Sequence, residues 1–254
     1  MRKKRQRLSP ASIIVHGVLV LLAAIVIMPL VLPFLFAFKT ELEFAYHPWS
    51  WPTTFRWANF RMAWQMVQIG QGLMNTLIVC IGAVLTTVPP AAMAGYIFAR
   101  YRTPMTTVLF YVVMAGFFIP TQMVLIPLYR MTMNLGLLDT LPGLYLPMAA
   151  FGAGHFAIFV RVIVPLTKPA TILAVLLTFM SSWSDYLLAL VLLSTQSKFT
   201  MQLRVARFIG NLGANYFPQY AAGVIISATP TILLYIIFHK HIIRGTTLAG
   251  ALKG

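Results

Sequence analysis

The side chains able to relay protons or hold a metal in this 254-residue sequence are few: four acids, Glu41, Glu43, Asp139 and Asp185, five histidines, His16, His47, His155, His239 and His241, and one cysteine, Cys80. Paired-carboxylate chemistry needs two acids placed side by side, and Glu41 with Glu43 alternates in what reads as a solvated loop. No histidine is followed at i+3 or i+4 by a second ligand, the spacing that builds a metal site on one helix face. His239 and His241, two apart, point to different sides of a helix. Gly152-x-Gly154 has neither the preceding strand nor the third glycine of a dinucleotide loop, and no Walker-type lysine loop is present. The sequence therefore assigns no catalytic residue, no metal ligand and no cofactor-binding residue, and it does not read as an enzyme.

Asp185 stands apart because it lies within an apolar run, in Ser181-Ser182-Trp183-Ser184-Asp185-Tyr186. An acid at membrane depth is costly and marks a pathway, a relay or a buried pair. Two readings stay open: a pathway residue, or a structural knot solvated by its Ser and Trp neighbours. Prolines recur inside apolar runs at Pro29, Pro33, Pro89, Pro90, Pro120, Pro127 and Pro230, and each removes a helical hydrogen bond at depth.

The elements that must carry these residues follow from composition. At 59% hydrophobic and 9% charged the chain is far from soluble globular usage, and a mean hydropathy of +0.83 places most of it in lipid. Six nearly uncharged runs, approximately 11–38, 72–99, 104–128, 140–160, 169–193 and 219–238, each suit a spanning helix of about 20 residues. They do not alternate as barrel strands would, so the predicted fold is an all-α integral-membrane bundle of about six spans, forming a single domain. The run after the basic head Arg2, Lys3, Lys4, Arg5 and Arg7 is too long for a signal h-region and predicts an uncleaved first helix.

Net charge of +15 would ordinarily raise nucleic acid as a partner, but here the cations sit between apolar runs and follow a membrane rule. Placing the N-terminus inside puts Arg100, Arg102, Arg161, Lys168, Lys240, Arg244 and Lys253 inside with the basic head. Lys39, Arg56, Arg61, Arg130, Lys198, Arg204 and Arg207 fall outside, together with Glu41, Glu43 and Asp139. Both termini are expected in the cytoplasm. Two outer segments, 39–71 with Trp49, Trp51, Trp57 and Trp64, and 194–218 with Arg204, Arg207, Tyr216 and Phe217, suit either an interfacial aromatic belt or a docking rim.

Taken in order, the motifs resemble the inner-membrane permease subunits of type I ABC importers of the maltose-type carbohydrate group, over nearly the whole chain. Asn75-Thr76-Leu77 resembles the opening of that family's second span, and Ala94-Gly95-Tyr96-Ile97-Phe98-Ala99-Arg100-Tyr101-Arg102 resembles its inner boundary. Ile126-Pro127-Leu128-Tyr129 with Leu135-Gly136-Leu137-Leu138-Asp139-Thr140 is similar to its third-span exit. Ile163-Val164-Pro165-Leu166-Thr167-Lys168-Pro169-Ala170, Trp183-Ser184-Asp185 and the tail from Arg244 to Gly254 complete the pattern.

The resemblance implies a sugar-import permease forming half of a translocation path in the bacterial inner membrane. It also implies a second homologous permease, an ATPase dimer that binds the ATP, and an extracytoplasmic solute-binding protein; Asn75, Trp183 and Asp185 become pathway or intramembrane polar candidates. One departure stands out. The family's ATPase-docking loop carries Glu-Ala-Ala and then Asp-Gly-Ala, whereas here Phe151 takes the aspartate position and no acid lies between Asp139 and Asp185. What remains resembles the second half of that loop, with Gly152, Ala153, Gly154, Arg161 and Pro165 as its remnant. The alternative is a degenerate or uncoupled permease-like membrane protein. The sugar itself is not legible.

Overall fold

The computed structural model describes residues 10–116, 118–149, 168–212 and 214–251, and these form helices joined by turns and loops, without a strand. In lipid a helix satisfies its own backbone hydrogen bonds, which is why long apolar runs take this form. Among the described residues three helices are long and apolar enough to cross a bilayer: 14–37 within α1 (Pro10–Ala37), all of α4 (Ile69–Arg100), and 217–239 within α11 (Phe217–Ala251).

α1 is described from Pro10 onward. Its most apolar 18 residues have a mean hydropathy of 3.0 and none of them is buried. Helices apolar all round and unburied by protein belong against lipid. Only the last turn of α1, with Phe36 and Ala37, enters the protein core, and the helix packs along α11.

α4 is the central element. Gly72, Thr76, Val79, Cys80 and Ala83 recur at helical spacing to form its buried stripe, and α7 (Leu141–Ala149) and α8 (Lys168–Ser184) pack against it. Close approach to α7 depends on Gly82, where a Cβ would stand 2.6–2.9 Å from the ring atoms of Tyr145. The second core cluster grows from this contact, joining Val79, Leu144, Leu188, Leu192, Phe199 and Leu203.

Two predicted spans are not single helices. The run 104–128 divides into α5 (Pro104–Gly116) and α6 (Thr121–Asn134). Pro120 provides the reason: its ring would clash with the carbonyl four residues back, at Gly116, and it disfavours helical geometry at Ile119. The run 169–193 likewise divides into α8 and α9 (Leu187–Leu192). There Asp185 Oδ1 accepts the Leu188 N–H at 3.0 Å, so the side chain caps a new helix instead of riding inside an old one. Of the run 140–160, the described helix is α7. The expected loop at Glu41 and Glu43 is a short helix, α2 (Glu41–Tyr46), because Thr40 caps it by accepting the Glu43 N–H at 3.1 Å.

The remaining pieces form a cap over one end of the bundle. α2, α3 (Ala58–Met66) and α10 (Met201–Leu212) gather where α1 ends and where α4 and α11 begin. Their apolar faces meet in the first core cluster, which includes Ala37, Ala63, Val67, Ile69, Met201, Val205, Phe208 and Ala222.

Candidate functional site

The polar chemistry of the described residues concentrates in this cap. Arg204 on α10 is 5% exposed and uses every N–H of its guanidinium. Nε donates to the Phe199 carbonyl at 3.2 Å, Nη1 to the Val67 carbonyl at 3.4 Å and Gln68 Oε1 at 2.9 Å, and Nη2 to Gln71 Oε1 at 2.9 Å and the Gln196 carbonyl at 2.7 Å. All five acceptors are neutral. Burial accordingly pushes the Arg204 pKa down from its ordinary value. Gly72 makes room for this side chain, since a Cβ there would lie 2.7 Å from Arg204 Cδ and 3.2 Å from the Met201 backbone.

The neighbouring turn of α4 pins the same region. Asn75 Nδ2 donates to the carbonyls of Ser197 at 2.8 Å and Phe199 at 3.1 Å. Thr76 Oγ1 accepts the Met201 N–H at 2.8 Å while donating back to the Gly72 carbonyl, satisfying a first-turn donor of α10 that no helical carbonyl can reach. Asn75, nominated from sequence as a pathway residue, is thus placed as a staple between α4 and the 194–200 turn.

Asp139 clamps that turn from the other side. Gly136 and Asp139 both adopt left-handed backbone, with φ of 67° and 55°, which brings the carboxylate under the N–H groups of Ser194 at 2.9 Å and Thr195 at 3.0 Å. The Thr195 hydroxyl donates to Oδ2, and Lys198 Nζ reaches Oδ2 at 3.1 Å and the Asp139 carbonyl at 2.6 Å. The Thr195 hydroxyl, then its N–H, with further help from Ser194 and Lys198, holds the carboxyl well below the usual carboxylate range.

A third polar group ties α1 to α11. Lys39 is fully buried, with Nζ on the carbonyls of His47 at 2.6 Å and Pro48 at 2.7 Å. Its burial lowers its pKa, opposed by nearby Glu43. Asn59 Nδ2 caps the end of α1 through the Ala37 and Lys39 carbonyls, both at 2.8 Å, and Gln219 Nε2 bridges Glu41 and Asn59. Glu41 also meets Arg56 at 3.3 Å, and Glu43 Oε1 accepts the Thr53 N–H at 2.7 Å. The two glutamates expected to be solvated are bonding partners.

A cavity of about 400 Å³ opens between α3, the 194–199 turn and α10. Met66, Val67, Phe199 and Phe208 supply apolar walls, Ser194 and Gln196 a polar edge, and Arg204 and Arg207 the charge. Arg207 is exposed and lies over the Phe199 ring, 4.5 Å from its centroid.

Trp183 and Asp185 part company in the fold. Trp183 is 2% exposed, donates to the Ser227 carbonyl on α11 at 3.0 Å and stacks on Phe179, whereas Asp185 sits half-buried in the α8–α9 break, flanked by exposed Ser184 and Tyr186. Gly152, Ala153, Gly154, Arg161 and Pro165 lie outside the described residues. Trp49, Trp51 and Trp57 are strongly exposed on the cap. Sequence reasoning missed Arg204 as a hub. Its signal was a cation three residues from Met201 and four from Phe208, on the apolar face of α10.

No protein-family model matches the chain. The chain is 31% identical over 207 residues, 71% of its own length and 75% of the relative's, to a probable ABC transporter permease protein of Pyrococcus horikoshii. It is 28% identical to the diacetylchitobiose uptake system permease protein NgcG of Streptomyces coelicolor, covering 89% of this chain and 84% of that one. To the melibiose/raffinose/stachyose import permease protein MelC of Bacillus subtilis it is 27% identical, covering 93% and 96%. Its fold matches a chain in the crystal structure of a bacterial ABC transporter involved in the import of the acidic polysaccharide alginate, with a TM-score of 0.72 at 20% identity over 94% of this chain and 98% of that one.

Proposed function

The chain belongs to the permease family of carbohydrate ABC importers, and on that premise we propose that it is one of two permease subunits of an ATP-driven, binding-protein-dependent sugar importer in the bacterial inner membrane. The observation that carries this reading is end-to-end similarity to permeases of oligosaccharide uptake systems, 93% of this chain against 96% of one of them. ATP is bound and hydrolysed by a separate ATPase dimer, and this chain takes no cofactor of its own. The second homologous permease completes the path, and an extracytoplasmic solute-binding protein delivers the sugar. Alternating access then needs helices with hinges within the membrane, and the breaks at Pro120 and Asp185 are suited to that role.

We read α5 with α6, the apolar sequence run 140–160, and α8 with α9 as three crossings beside α1, α4 and α11, which makes six. Both termini then lie in the cytoplasm and the cap lies outside. This assignment is supported by the basic residues Arg100, Arg102, Arg161 and Lys168 on the opposite side from Glu41, Glu43 and Asp139.

One observation favours a second reading, that of an uncoupled permease. No acid lies between Asp139 and Asp185, so the glutamate expected in the docking loop from the family resemblance is absent. Purification of the chain from its native membrane, followed by identification of bound subunits and uptake assays with radiolabelled mono- and oligosaccharides, separates the two. A co-purifying ATPase with ATP-dependent uptake is the expected result; a chain that never carries an ATPase sinks the importer reading.

A further inference from the structure

We propose that the cavity between α3, the 194–199 turn and α10 is a socket for an acidic side chain of the extracytoplasmic solute-binding protein, and that Arg207 is the residue that receives it. The proposal rests on the importer reading and assigns that partner a point of attachment.

Arg204 and Arg207 carry charge at this cavity without a counter-charge among the described residues. Arg207 is exposed, and its contact among the described residues is the Phe199 ring beneath its guanidinium. Beyond that ring Arg207 has no hydrogen bond or ion pair among the described residues, and a guanidinium with unengaged N–H groups can receive a carboxylate with two parallel bonds. Behind it, Arg204 has all five N–H groups on neutral acceptors, so its hydrogen bonding is complete while its charge is not offset. Two cations therefore face one cavity with no acid beside them.

The chain cannot supply that acid. Glu41 is held by Arg56 and Gln219, Glu43 by the Thr53 N–H, Asp139 by the 194–198 turn and Lys198, and Asp185 by the cap of α9. These four are all the acidic side chains in the sequence, so a carboxylate seated at Arg207 comes from another molecule.

Shape favours a protein side chain over a lipid headgroup. The cavity of about 400 Å³ has walls from Met66, Val67, Phe199 and Phe208, which suit the aliphatic stem of a glutamate on a projecting loop. It opens within the polar cap and not along the lipid-facing lengths of α1 or α5. A partially enclosed pair of like charges also focuses the field outward and steers an acidic partner.

The test uses the assembled importer in nanodiscs with the purified solute-binding protein that sustains its uptake, and measures their dissociation constant across ionic strengths. Arg207→Glu should weaken binding at least about tenfold and Arg207→Gln should flatten its salt dependence, while Arg207→Lys should retain part of the affinity. Thermal stability and subunit composition show that each variant is folded and assembled. One charge reversal on the docking face of the solute-binding protein, Glu or Asp to Arg, should restore binding to Arg207→Glu. Unaltered binding by Arg207→Glu, or failure of every such reversal to restore it, overturns the socket. An effect of Arg207→Glu that appears only in nanodiscs containing anionic lipid assigns the site to headgroups and also overturns it. An unaltered complex that binds no solute-binding protein sinks the importer reading itself, and the socket with it.

Discussion

Asp139 shows how one side chain can hold two distant stretches of chain together. Five bonds from Ser194, Thr195 and Lys198 converge on its carboxylate and carbonyl. Because these bonds favour the charged form, the folded pKa lies below the ordinary value of 3.8. The stabilisation is then fully present above that value and fades as pH falls below it toward the folded pKa. Asp139→Asn keeps a side chain that tolerates left-handed backbone and removes the charge. It should lower stability at pH 7 by about 1–3 kcal/mol, with the gap to the unaltered protein narrowing below about pH 4. Thermal unfolding in nanodiscs across pH 3–8 measures both; a gap that stays constant through that range would refute the clamp.

At the scale of elements, two contacts decide how the helices meet. Gly82 admits the Tyr145 ring onto α4, so Gly82→Ala should force the ring away and cost about 1–3 kcal/mol. Adding Tyr145→Leu should recover part of that loss, as expected for residues that share one space. Additive losses in thermal unfolding would show that α4 and α7 do not meet there. The α8–α9 break separates charge from capping: Asp185→Asn can still accept the Leu188 N–H, so it should leave the subunit assembled while reducing sugar uptake. Uptake equal to that of the unaltered importer would reduce Asp185 to a helix cap.

For the molecule as a whole, orientation and coupling are the open quantities. Cys80 is buried, so new cysteines at Ser9, Thr103 and Gly250 report cleanly on sidedness. All three should resist an impermeant thiol reagent in intact cells and react after permeabilisation, and labelling of any one in intact cells contradicts the six-span topology. The family resemblance assigns coupling to the segment around Gly152 to Pro165, where a docking glutamate is expected and the chain has none. Grafting a Glu-Ala-Ala segment between Phe151 and Gly152 should tighten ATPase association by about tenfold or more, since a lost buried polar contact costs about 2–5 kcal/mol, and should raise substrate-stimulated ATP hydrolysis. Equal stimulation in both proteins would show the missing segment to be dispensable.

Membrane residence and helical class were legible in the sequence because they depend on local composition: 59% hydrophobic residues in long uncharged runs leave lipid as the solvent and the helix as the backbone's solution. The family was legible from ordered motifs, and the missing docking acid from counting. Continuity of the helices was not. Pro120 ends α5, yet α6 runs through Pro127, α4 through Pro89 and Pro90, and α11 through Pro230; a proline forbids one hydrogen bond, and surrounding packing decides whether the helix survives its loss. The contacts inside the cap were invisible for a related reason, although its two segments, 39–71 and 194–218, stood out in the sequence. Asn75 meets Ser197 across 122 positions and Arg204 meets Gln68 across 136, and no local pattern encodes which carbonyls a side chain will find. Composition fixes what a segment can bury, but only the folded arrangement of distant segments determines that Arg204 is saturated inside the protein while Arg207, three residues on, is exposed over the Phe199 ring.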